Sequence, residues 1–272
     1  MEMKEGIDKE VKSGNENALI PVLQEVVKIP LVKINRNEFL QKSLGKCCTQ
    51  DEIKDAIEKG TFQAGIDKSK LDKIAGSVVA RETLKCTAAS FGLGIPGGFA
   101  LIGTIPADLT QYYAFSIRVI QELAYIYGWP DFELDNASEE SIYSIVLFLG
   151  IMSGVGVATS ALKYVSTCLS KQALKLEYKT LTKGVIYPIV KRIANKLLGK
   201  SMTKGIFAKG VSKAIPIVAG FVSGGLTLAT FQPSCKRLKK QLSLEFGKTY
   251  TDSELADELK KAEELSSKEN ID

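Results

Sequence analysis

Three charged side chains, Asp108, Arg118 and Glu122, stand inside an otherwise apolar run from Thr104 to Trp129. A carboxylate and a guanidinium in apolar surroundings can serve two ends. They can act as a catalytic acid–cation pair, with burial shifting their pKa values. Alternatively, they can tie neighbouring helices together through hydrogen-bonded ion pairs. On one helix, ten residues separate Asp108 from Arg118 by about 15 Å, which prevents a direct pair. Each then needs a partner from another element, and this spacing favours the structural tie. Tyr112, Tyr113, Tyr125 and Tyr127 lie in the same run and read as core aromatics rather than as a ligand cage.

Little else in the chain carries chemistry. There is no histidine among the 272 residues, which removes Ser-His-Asp and Cys-His triads and imidazole acid–base work. The cysteines, Cys47, Cys48, Cys86, Cys168 and Cys235, show no C-x-x-C spacing, so neither a zinc site nor a disulfide framework is suggested. There is no phosphate loop and no nucleophile motif. We expect a protein that is not an enzyme, with no cofactor and no metal. Nucleic acid is not an expected partner, because the pI of 8.8 is modest and no aromatic residues interleave with the lysines.

The elements that must position these residues read as all-α. Pro106 fits the first turn of a helix, where its missing N–H is not needed, and Gly128 and Pro130 stop that helix. A helix apolar on nearly every side is buried, so the 106–128 helix is the centre of the expected fold. Capping-box patterns start at Asn35, Thr49 and Asn136, and Asp67 or Ser69 caps a helix over about 69–90. Ala18–Ile34, punctuated by Pro21 and Pro30, reads as a short extended or helical docking segment. Three stretches of 22 residues carry no charge: Cys86–Ala107, Ser141–Leu162 and Ala214–Cys235. Each is long enough to span a bilayer. Glycine, serine, threonine and proline dilute all three, so a buried core and shallow insertion come ahead of true spanning. Each stretch also holds two glycines four apart: Gly94 and Gly98, Gly150 and Gly154, Gly220 and Gly224. On one helix face such pairs let two backbones approach closely.

The expected architecture is a compact helical bundle with glycine-rich, tightly packed central helices. Residues 1–64 form an N-terminal helical extension, polar and partly disordered at its start. Residues 65–250 form the main domain, and 251–272 an acidic, solvated helix and tail. The net charge of +5 is unevenly spread. Lys171–Lys213 holds one acid, Glu177, and reads as a basic amphipathic helix with Lys191, Arg192, Lys196, Lys200 and Lys204 facing out. Lys236 and Arg237 begin a second basic cluster. Such faces suit an anionic membrane surface, at about 1 kcal/mol per lysine.

IPADLTQYYAFSIRVIQELAYIYGW, residues 105–129, resembles the signature of the EcsC family, with Asp108, Arg118, Tyr127 and Gly128 in the motif places. AIPIVAGFVSGGLTLATFQPSCKRLKKQL, residues 214–242, is similar to that family's C-terminal pattern, although Gln232-Pro233 departs from a continuous helix. LVKINRNEFL, residues 31–40, resembles an accessory segment of some members. The resemblance covers about residues 70–245. It implies an all-α fold of bacterial type, an association with membrane, transport or secretion processes, a membrane transporter as partner, and no reaction. The expected function is a non-enzymatic, membrane-associated accessory protein. The alternative is a soluble all-α protein that binds an apolar, lipid-like ligand or a protein partner. The charged N-terminus lacks a signal-peptide core, so the expected location is cytoplasmic, at the inner face of the membrane.

Overall fold

A computed structural model of the chain describes residues 19–90, 107–136, 138–170, 189–191, 193–194, 197 and 224–268. Gly94, Gly98, Gly220, Arg192, Lys196, Lys200 and Lys204 lie outside the described residues. The fold is all-α. Its helices are α1 (Leu19–Val26), α2 (Arg36–Leu44), α3 (Gln50–Lys59), α4 (Lys68–Ser90), α5 (Ala107–Ile126), α6 (Glu139–Met152), α7 (Gly156–Ser170), α8 (Gly224–Glu245) and α9 (Asp252–Lys268). Short 3-10 turns occur at Pro30–Val32 and Leu134–Asn136.

The apolar run forms α5, which is buried on almost every side from Thr110 to Tyr127. It touches α4, α8, α2, α1, α6 and the turn at Pro30–Val32. The ambiguous segment at 18–34 resolves into α1 and that turn. Leu19, Val22, Leu23 and Val26 recur at helical spacing and are all buried. They join one core with α5, as do Leu40, Leu44 and Ile53. Residues 19–66 are therefore packed into the same core as the central helix.

Local signals set the helix ends. Thr49 and Glu52 make a complete capping box, while Asn35 accepts from the Glu38 N–H and Asp67 from the Ser69 N–H at 2.8 Å. The cap of α6 is Ser138, accepting from the Ser141 N–H, and not Asn136 as the spacing suggested. Leu134–Asn136 is instead wound into a 3-10 turn.

The uncharged stretch from Ser141 to Leu162 is not one helix. Gly154 takes φ +77°. Its N–H donates to the Ile151 carbonyl at 3.0 Å, and the Val155 N–H to the Gly150 carbonyl at 2.8 Å. This paired arrangement ends a helix at a left-handed residue, where glycine has no Cβ to strain. Gly154 thus breaks the run into the α6–α7 hairpin and does not share a helix face with Gly150. Gly150 itself is a close-packing position. A Cβ there would lie 2.8 Å from Ile193 and 2.9 Å from Ala158. Gly224 opens α8, which runs unbroken through Pro233. The acidic C-terminal helix is mostly exposed but docked along one edge. Leu255 of α9 is buried, and Glu258 meets Lys163 of α7 at 2.9 Å.

Candidate anion-binding groove

Arg118 finds its partners on α4. Its Nε donates to Glu82 Oε2 at 3.2 Å, and its Nη1 donates to the Leu31 carbonyl. Glu82 Oε1 also accepts from Lys85 Nζ at 2.7 Å and from Arg81 Nε at 3.2 Å. Arg81 Nη2 reaches across to Glu122 Oε2 at 2.7 Å. Five charges thus interlock between α4 and α5. Asp108 sits in the first turn of α5 with its side chain outside the described residues, while Arg118 takes its carboxylate partner from another helix, as its distance from Asp108 required.

The two carboxylates differ sharply. Glu82 is fully buried, and burial opposes its charge. The bond from Lys85 and the charge of Arg118 outweigh that and hold its carboxyl below the usual range. Glu122 is pushed up to about 7, first by burial and then by the neighbouring charge of Glu82, against Arg81 and Arg118. Its proton therefore exchanges near neutral pH, while Glu82 stays ionised.

This network closes one end of a cavity of about 730 Å³ between α2 and α4, with Arg118 and Glu122 of α5 behind it. One turn after another of α4 points Lys70, Lys73, Ser77, Arg81 and Lys85 into it, at the three- and four-residue spacing that keeps a helix face. From α2 come Glu38, Lys42 and Ser43, with Lys33 and Asn35 just before the helix and Lys46 just after it. Eight cations thus face two carboxylates, Glu38 and Glu122. Lys33 pairs with Asp135, and Arg81, Lys85 and Arg118 with Glu82 or Glu122. Among the described residues, Lys42, Lys46, Lys70 and Lys73 make no ion pair. Ile34, Phe39, Ile74 and Val78 supply an apolar wall. The arrangement can neutralise several negative charges in a concave space, as a phosphate-bearing ligand requires.

The other expected site residues have structural positions. Tyr127 donates to Asp72 Oδ1 at 2.6 Å. Gly128, at φ +87°, ends α5 by the same left-handed device as Gly154, with the Trp129 N–H on the Ala124 carbonyl at 3.0 Å. Lys191 is exposed, while Ile189, Val190 and Ile193 around it are buried. Lys236 lies on the surface and donates to Gln232 at 3.2 Å. Arg237 is exposed, and its guanidinium donates to the Met152 carbonyl and lies over Gly154. It therefore caps the end of α6.

Sequence reasoning missed two further polar anchors. Gln121 of α5 accepts from the Ile34 N–H at 3.1 Å and donates to the Val32 carbonyl at 2.8 Å, pinning the strip before α2. Arg36 is buried and donates to the carbonyls of Ile57 at 2.8 Å, Trp129 at 3.0 Å and Ala56 at 3.2 Å. Its place four residues after Val32 and directly after the cap Asn35 was the available signal. The buried thiols are unsuited to nucleophilic work, since burial pushes Cys86 up to about 12 and Cys235 well above its usual value. In comparisons with known proteins, the chain matches no family model, no curated protein and no solved structure.

Proposed function

We propose that this protein is a non-enzymatic accessory protein of the EcsC type that associates with an anionic membrane surface through the α2–α4 groove. The observation that carries this reading is the concentration of eight cations on one concave face, four of them without an ion pair among the described residues. Unneutralised lysines near an anionic leaflet contribute about 1 kcal/mol each. Two of the exposed large apolar side chains, Leu31 and Leu84, stand beside the same groove. Among the described residues no helix is long and apolar enough to cross a membrane. The cytosolic face of the membrane, with its anionic lipid, is the matching location, and a membrane transporter is the matching protein partner. Lys191 and Lys236 add to the same interaction from other faces.

Flotation with liposomes tests this. Binding is expected with anionic vesicles and not with neutral ones, and it should weaken as salt is raised. Reversing Lys42, Lys46 and Lys73 to glutamate should reduce it by about tenfold or more, at about 1 kcal/mol per charge. Absence of flotation with anionic vesicles at low salt would overturn the membrane reading in favour of a soluble bundle with a protein or apolar ligand.

A further inference from the structure

The groove is more than a basic patch, because its two ends differ. Asymmetry of that kind orients a ligand. Lys70 lies close enough to Glu52 and Cys48 to influence both. The C-terminal end of α2 therefore faces the N-terminal end of α4. Lys42, Lys46, Lys70 and Lys73 gather there with no ion pair among the described residues. At the opposite end Arg118 touches both Leu31 and Glu82, so the cations are already neutralised. Two large apolar side chains are exposed near that end, Leu31, whose carbonyl accepts from Arg118, and Leu84, next to Lys85 in α4. Leu84 is 70% exposed and Leu31 46% exposed. Leu84 follows Lys73 by eleven residues, about 16 Å along α4. Along the groove Asn35, Ser43 and Ser77 offer hydrogen-bonding groups, and Phe39 adds an aromatic side chain to the lining.

A ligand that uses every part of this gradient is charged at one end, hydroxylated in the middle and apolar at the other. Resting on the membrane reading above, we propose that the groove binds a phospholipid whose polyol head carries its own phosphomonoester. The terminal phosphate sits among Lys42, Lys46, Lys70 and Lys73. A phosphomonoester carries up to two charges and three acceptor oxygens, so several ammonium groups can share it. The polyol body lies along Asn35, Ser43 and Ser77, with its C–H face on Phe39. The glycerol and acyl chains leave past Leu31 and Leu84 into the bilayer. The volume of about 730 Å³ lies within the range of pockets that hold a small molecule, and a simple electrostatic surface needs no such concavity.

The test uses the full chain and vesicles of matched surface charge. One set contains phosphatidylinositol monophosphate, the other phosphatidylserine. The expected result is binding about tenfold tighter to the first set, with soluble inositol bisphosphate competing. Lys70→Gln with Lys73→Gln should abolish the preference while leaving salt-sensitive binding to both sets. Leu84→Ser, or Leu31→Ser as a second variant, should weaken vesicle binding and leave binding of soluble inositol bisphosphate unchanged; circular dichroism checks that each variant folds. Equal binding to the two sets would overturn the head-group assignment and leave the membrane reading intact. Binding of the soluble head group without any vesicle binding would overturn both and mark the groove as a site for a free phosphorylated metabolite.

Discussion

Arg36 and Arg118 are both largely withdrawn from water, yet they occupy opposite kinds of site. Arg36 is surrounded by backbone. Its guanidinium spends its donors on three carbonyls, two in the last turn of α3 and one just past the end of α5. Carbonyls at a helix end carry partial negative charge, so the cation also meets a favourable dipole. Burial nonetheless lowers its pKa. Arg118 has a side chain 17% exposed and faces carboxylates, other cations and an open cavity. The first arrangement has one stable state and no room for a ligand. The second has exchangeable partners and a proton that titrates near pH 7. Burial of a charge therefore does not mark function by itself. The number of alternative partners within reach does.

The comparison breaks most visibly at Arg36. Replacing it with methionine takes the side-chain donor from the Ile57 and Trp129 carbonyls and leaves the Ala56 carbonyl with the Gly60 N–H alone, at about 1–3 kcal/mol for each group left unsatisfied. We expect a loss of at least about 3 kcal/mol in denaturant unfolding, with vesicle affinity of the remaining folded protein unchanged. Glu82→Gln comes next. It removes the carboxylate that Arg81, Lys85 and Arg118 share, but two of these are nearly half exposed, so solvent offsets part of the cost. About 2 kcal/mol of destabilisation is expected, accompanied by tighter binding to anionic vesicles because Lys85 is released and Arg81 and Arg118 each lose one partner.

Glu122 gives the smallest effect and the sharpest one. Its folded carboxyl is raised from 4.5 to about 7. A raised pKa means that the folded state holds the proton more tightly, so the stability from this group is present below its ordinary value and lost as pH rises through 7. Glu82 has the opposite sign, and its contribution is lost only in acid, as pH falls through its depressed value. The groups facing Glu122 are Arg81 and Glu82 from α4 and Arg118 from its own helix. Protonating Glu122 removes one of the two carboxylate charges that Arg81 meets, so vesicle binding should tighten by about threefold as pH falls through 7, on the scale of a fraction of one lysine contact. Glu122→Gln should hold the tighter value at all pH. A wild-type profile flat across neutral pH would show that Arg81 is fixed in place much as Arg36 is.

The sequence made one half of this contrast legible. Arg118 stands out in an apolar helix, and its distance from Asp108 already required a partner elsewhere. The all-α fold, the central helix and the caps at Asn35, Thr49 and Asp67 follow from local patterns that folding left intact. The groove does not, because its walls look like two ordinary solvated helix faces. Lys42 and Lys46 are diluted by Glu38 and Asp51, and Lys70 and Lys73 by Asp72. Only the facing of α2 and α4 sorts the cations to one side. The lysines of Lys171–Lys213 are dense in sequence and need no folding to be seen, whereas those of the groove are gathered only by tertiary packing. Gly154 misleads for another reason. A spacing of four fits both a helix-packing pair and a helix followed by its terminating glycine, and the two differ only in the φ that the chain adopts.

The bonds that pin the N-terminal helices also set a schedule. Arg36 waits 93 residues for the Trp129 carbonyl, and the Val32 carbonyl waits 89 for Gln121. At ribosomal rates of 5–20 residues per second, roughly 5–20 s pass between synthesis of α2 and arrival of the end of α5. Until then the apolar faces of α1 and α2, with Leu19, Leu23, Val26, Leu40 and Leu44, have no central helix to cover them. The nascent chain is therefore sticky early and becomes self-contained late, and its yield in a cell depends on what shields that first segment while translation continues.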